Sequence, residues 1–142
     1  MDNIQTLIGK GELTISEAMQ KIDGNAYGIL FLVDECNVLL GCITDGDIRR
    51  FLLSGGKMDA VAMDAANRQP KTAKTINEAR QLYHKRDYIV IPILGENGNI
   101  IDLYSGESGE IISKPKNSLK IPVVINAGGK GTRLDPFTRV LP

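Results

Sequence analysis

The sequence predicts an α+β fold in which two similar units, each a small sheet with packed helices, form a pseudo-twofold pair. Three observations carry this expectation. Shifted against itself by 61 positions, the chain matches without a gap from Thr14 to Ile48, with seven identities among 35 pairs. Both copies run through the same succession of helix start, continuous apolar stretch, polar turn and second apolar stretch. Finally, 142 residues with 42% apolar and 24% charged side chains suffice for one ordinary domain or two very small ones.

The first element of each copy is a helix. Thr14, Ile15, Glu17, Ala18 and Gln20 recur as Thr75, Ile76, Glu78, Ala79 and Gln81. A Thr followed three residues later by Glu is a capping box, so helices should begin near Thr14 and Thr75. Apolar runs follow at Ile29–Val33 and 89–94, then turns at 34–37 and 95–99, then second apolar runs. Each unit therefore reads as helix, strand, hairpin, strand. The first copy continues through Asp45-Gly46-Asp47 into a short amphipathic helix over 48–53, closed by Ser54-Gly55-Gly56. Sheets of two or three strands are marginal alone, so the units, 1–60 and 61–112, should pack their apolar faces together.

Charge and composition exclude several classes. Lys plus Arg and Asp plus Glu each number 17, so no bulk field draws the chain to nucleic acid or an anionic membrane. The apolar runs are far below the ~18 residues of a membrane span, and no secretory pattern opens the chain, which leads us to expect a cytoplasmic protein. Cys36 and Cys42 lack the paired spacing of a zinc or redox motif and read as reduced thiols. His84 sits at a helix end, where a cation suits the dipole, and no metal site is expected.

A tandem repeat of about 60 residues bearing Gly41-Cys42-Ile43-Thr44-Asp45-Gly46-Asp47 resembles the cystathionine-beta-synthase (CBS) domain pair, or Bateman module, over roughly residues 1–112. The family signature of Gly, two mostly apolar residues, Thr or Ser, two variable positions and Asp is met by Gly41, Thr44 and Asp47. The resemblance implies that Thr44 and Asp47 hold the ribose of AMP, ADP or ATP, with Tyr27, Ile29 and Ile43 lining the slot for the base. The chemistry suits it, since a carboxylate can accept from two adjacent hydroxyls through charge-assisted bonds. The same residues also read as the end of a strand and the cap of a helix, with Asp45 as the cap and Asp47 as the ligand; the two roles are compatible. In the second copy Asp102, Ser105 and Ser108 replace Gly41, Thr44 and Asp47, so a weak or empty site is expected there. Many nucleotide-binding members carry a basic residue two before the Pro of the first strand. Val90 stands there before Pro92, and Ile29 at the matching place, which argues against a tight triphosphate clamp. Arg49, Arg50, Lys85 and Arg86 remain as cations for a phosphate, although solvated surface is the simpler role for each. Homodimerisation through the helices is a further implication, either alongside ligand binding or as a purely scaffolding role.

Residues 113–118 read as a linker spanning about 20 Å at most. The apolar stretch 121–125 and the glycine-rich 128–131 that follows resemble, through Ala127-Gly128-Gly129-Lys130-Gly131-Thr132-Arg133-Leu134 and on to Pro142, the opening signature of sugar-phosphate nucleotidyltransferases. That resemblance implies a nucleotide-binding loop of Gly128, Gly129, Gly131 and Thr132, with Arg133 as catalytic cation, in a parent enzyme joining a nucleoside triphosphate to a sugar 1-phosphate. Mg2+ is expected only for the complete catalytic domain. These 142 residues alone should be inactive, because the later metal-binding Asp residues and the sugar pocket are not among them. Thr44 to Arg50 also resembles the CBS segment of arabinose-5-phosphate isomerases. Their isomerase domain precedes the pair, so the tail at 127–142 favours the nucleotidyltransferase.

Overall fold

The computed structural model describes residues 4–85, 90–106 and 110–112. A short 3-10 turn, Ile4–Leu7, leads into β1 (Ile8–Lys10), followed by α1 (Ile15–Asp23), β2 (Ile29–Val33), β3 (Leu39–Thr44) and α2 (Asp45–Leu53). The second unit contributes α3 (Ile76–Lys85), β4 (Val90–Leu94), β5 (Ile100–Ser105) and β6 (Glu110–Ile111). The sheets order as β1-β2-β3 and β4-β5-β6. No described helix is long and apolar enough to cross a membrane.

Helix α1 starts where its sequence dictates. Thr14 is the N-cap, its hydroxyl accepting from Glu17 N at 3.2 Å, while Glu17 Oε2 accepts from Thr14 N at 2.8 Å. The bond from Thr14 N, and a second from Thr14 Oγ1 at 3.0 Å, hold the exposed Glu17 carboxyl below its ordinary pKa. Ile15, Ala18 and Ile22 then line one buried face. At α3 the box has slipped: Thr75 Oγ1 still accepts from Glu78 N, but Glu78 Oε2 takes Lys74 N.

The sheets repeat each other closely. Strands β2 and β3 pair antiparallel with an irregularity between Leu32 and Val33, and β4 and β5 pair likewise with one between Ile93 and Leu94. Leu30, Leu32 and Ile43 face Ile15, Ala18 and Ile22 of α1 and Ile48 of α2. Phe31, Val33 and Cys42 face the other way, into a cluster shared with Val90, Ile100, Leu103 and Ile112. The order is therefore helix, sheet, sheet, helix, and both faces of each sheet are covered. That double burial is why the strand sequences are continuous apolar runs.

Where the two hairpins meet, Val38 pairs antiparallel with Asn99, its own counterpart at the 61-residue offset. Leu39 N donates to Gly98 O at 3.1 Å and Ile100 N to Asn37 O at 3.0 Å, two bonds related by the same offset. A residue bridged to its own equivalent must lie on the local twofold, so the pseudo-axis passes between Val38 and Asn99.

The symmetry breaks after the second hairpin. In unit 1 the chain leaves α2 and returns over the start of α1, with Ser16 N donating to Met58 O (3.0 Å), Ile15 N to Ala60 O (2.9 Å) and Ala62 N to Leu13 O (2.7 Å). Asn67 and Cys42 then exchange backbone bonds of 2.9 and 2.8 Å along the edge of β3. Residues 61–67 thus stay on the first unit, past the point where repeat arithmetic divides the chain. In unit 2 only four residues separate Ser105 from Glu110, too few for a counterpart of the nine-residue α2, and β6 folds straight back on β5. Ile15 is fully buried; its equivalent Ile76 is 39% exposed.

Candidate functional site

The crevice residues converge on the end of β3. Register sets Ile29 opposite Thr44 and Leu30 opposite Ile43, so successive pairs face opposite sides of the sheet. Thr44 and Ile29 look toward the second sheet, where Ile29 and Tyr27 flank the shared cluster, both half-buried. Ile43 does not join them. It is fully buried under α1 and α2, so its expected place in the slot is corrected: a strand covered on both faces shows no alternation from which to read the facing.

The loop carrying Tyr27 is held by Asn25, whose Oδ1 accepts from Tyr27 N and Gly28 N at 3.0 Å each and whose Nδ2 donates to Ile29 O at 3.1 Å. Gly28 has φ +66°, a conformation that favours glycine, and a Cβ there would stand 3.9 Å from Asp45 Oδ2. The loop and the start of α2 thereby form the two lips of the site.

On the far lip, Thr44 is the N-cap of α2 and Asp47 its third helical residue. Thr44 Oγ1 accepts from Asp47 N at 3.3 Å, and Asp47 Oδ2 accepts from Thr44 N at 3.0 Å and from Thr44 Oγ1 at 2.7 Å. Asp47 Oδ1 accepts from Arg50 Nη2 in an ion pair. The expected cap, Asp45, is instead the first helical residue, and the helix begins before 48. Thr44 takes the cap because its extended backbone, φ −118° and ψ 166°, is the conformation a capping residue needs. Asp47 thus takes part in the capping itself, with its side chain 20% exposed.

Gly41 has a packing reason of its own. A Cβ there would approach Asn67 O to 2.7 Å, so the returning chain can pair with Cys42 only across a glycine. Cys42 is buried, and its thiol pKa is pushed up to about 11, first by desolvation and then by the Asp47 carboxylate.

The equivalent place in unit 2 is closed. Ser105, at the position of Thr44, is fully buried, and its Oγ has no hydrogen-bond partner among the described residues. A Cβ on Gly106 would fall within the Tyr83 ring, which also packs edge-on against Tyr104 with centroids 6.2 Å apart. Ser108, Arg86 and Tyr88 lie outside the described residues, as do Gly128, Gly129, Gly131, Thr132 and Arg133. Asn25 and Arg50 were not foreseen in these roles, although the Asn-x-x-Gly turn and the i, i+3 spacing of Asp47 and Arg50 are both visible in the sequence.

Comparison with known proteins agrees with this architecture. The family model of the CBS domain matches residues 10–54, which include α1, the first hairpin and α2. Arabinose 5-phosphate isomerase GutQ of Salmonella typhi is 26% identical over 111 residues, covering 70% of this chain and 35% of the isomerase; the chain thus spans about a third of that relative's length. Among solved structures, Staphylococcus aureus OpuCA aligns with a TM-score of 0.62 at 17% identity, over 72% of this chain and 87% of that one. The CBS domain protein PAE2072 from Pyrobaculum aerophilum, complexed with AMP, aligns with a TM-score of 0.58 at 19% identity, over 70% and 79% of the two chains. The fold is therefore that of a CBS-domain pair.

Proposed function

We propose that this chain is a regulatory adenine-nucleotide-binding module with one working site, formed by Thr44, Asp47, Tyr27 and Ile29, acting in the cytoplasm on an attached catalytic domain. The observation that carries the reading is Asp47 itself: a carboxylate pinned by a capping box at the end of β3, its side chain still 20% exposed. AMP in the structure of PAE2072 supports the ligand class. Closure of the second position by Tyr83 and the loss of an α2 counterpart support a stoichiometry of one. Calorimetric titration with AMP, ADP and ATP should show one site per chain, abolished by Asp47→Ala. Absence of heat at millimolar ligand, or undiminished binding by that variant, refutes the reading.

The catalytic partner we propose is the sugar-phosphate nucleotidyltransferase that 119–142 resembles, with Arg133 as its catalytic cation. Pyrophosphate release from nucleoside triphosphate and sugar 1-phosphate, measured on a protein extending beyond Pro142, should respond to AMP by about 5- to 150-fold in affinity. Isomerisation of arabinose 5-phosphate in its place would transfer the activity of GutQ instead. A second reading, a ligand-independent dimerisation module, draws on the exposure of Leu53 (82%) and Met58 (43%) beside the helices of unit 1. Sedimentation at several concentrations separates the two: a constitutive homodimer indifferent to nucleotide favours scaffolding.

A further inference from the structure

Asp47 has little acceptor capacity to spare. A carboxylate offers about four lone-pair sites. Thr44 N–H and Thr44 O–H use two, both on Oδ2, and the Arg50 guanidinium uses one on Oδ1. A ribose diol brings two donors, and one place is left. One of the three protein donors must therefore withdraw before both hydroxyls can bind. The Thr44 donors belong to the cap that starts α2, whereas the Arg50 side chain is 72% exposed and can leave without disturbing the helix.

The same guanidinium lies folded over the first turn, with its Nη1 3.3 Å from where a Cβ on Gly46 would stand. That turn carries two carboxylates, Asp45 and Asp47, which repel an anionic ligand unless a cation accompanies them. Resting on the nucleotide reading above, we infer that Arg50 is a specificity-determining latch: it competes with ribose for Asp47 Oδ1 and, once displaced, pairs with the ligand's phosphate. A neutral nucleoside must displace Arg50 and receives nothing in return. A nucleoside monophosphate displaces it and recaptures it, so the site selects phosphorylated ligands.

Titration of the wild type and of Arg50→Met with adenosine and AMP tests this, since methionine keeps an apolar stem and removes the charge. Adenosine should bind the variant about two- to five-fold more tightly, the range set by an exposed ion pair, while AMP stays nearly unchanged because the lost phosphate contact offsets the freed lone pair. Arg50→Lys should restore much of the AMP preference. Equal shifts for both ligands, or no tightening for adenosine, overturn the latch while leaving the nucleotide site standing. If the wild type binds neither compound, the nucleotide reading itself fails and the latch with it.

Discussion

The two units share hairpins that match at a constant offset, down to the irregularity in each strand pair, yet they differ in what covers their helices. Unit 1 has α2 and a returning strap; among the described residues of unit 2, β5 is followed by β6, which pairs back on it. Burial follows from this. Ile15, Ala18 and Ile22 are all buried in α1, whereas the buried cluster of unit 2 draws only Ala79 from α3. The comparison separates what the hairpin needs from what the site needs. A hairpin folds in either context, but a capping carboxylate such as Asp47 requires a helix beginning directly at the end of the strand.

The largest expected contrast lies in the paired isoleucines. Ile15→Ala should destabilise the chain by about 2–5 kcal/mol, and Ile76→Ala, whose site is already open to water, by well under half of that. Denaturant melts of the two variants give the answer; equal losses would mean that unit 2 is covered as completely as unit 1. Next, Gly41→Ala drives a methyl group into the Asn67 carbonyl and should cost about 1–3 kcal/mol in the same melts. An unchanged midpoint would show that the strap is free to move away.

Cys42 adds a pH dependence that Leu103, at the same position of unit 2, cannot show. Its folded pKa of about 11 exceeds the ordinary 9.0, so the folded state holds the proton more tightly. That stabilisation is complete below pH 9 and is lost as the pH rises toward 11. Melts between these values should lose stability in the wild type and less in Cys42→Ala; parallel curves would place the thiol in water. The smallest contrast is the most diagnostic in sign. Thr44→Ala should cost about 1 kcal/mol of cap, while Ser105→Ala, which removes a buried hydroxyl without a partner, should be neutral or stabilising. Destabilisation by both would assign Ser105 a bond as important as that of Thr44.

The sequence reveals these features unevenly. The capping box of α1 is local, two residues at fixed spacing, and Thr14 and Glu17 announce it; at α2 the same pattern in Thr44 and Asp47 yields, in the sequence, to Asp45 as the expected cap. The repeat is legible because it needs no knowledge of contacts. By contrast, the short strand β6 after Ser105 is not announced in the sequence, because two residues carry no periodicity. The Asn67 bridge to Cys42 and the strap over Ile15 join single residues far apart in the chain, and no periodicity marks them. The facing of Ile43 is hidden for the opposite reason: its neighbours are all apolar, so nothing in the pattern distinguishes the two sides. The position of Asp47 in the first turn of α2 is legible, but its partner Arg50 becomes meaningful only once the carboxylate's bonds are counted.

Ile112, the last described residue, donates its N–H to Leu103 and packs in the same apolar cluster as Cys42 and Phe31. Ile112 therefore shares one apolar layer with Phe31 of β2 and Cys42 of β3, the strand that ends at Thr44. In the regulatory reading proposed above, any shift of β3 would reach Ile112 through that single layer of side chains.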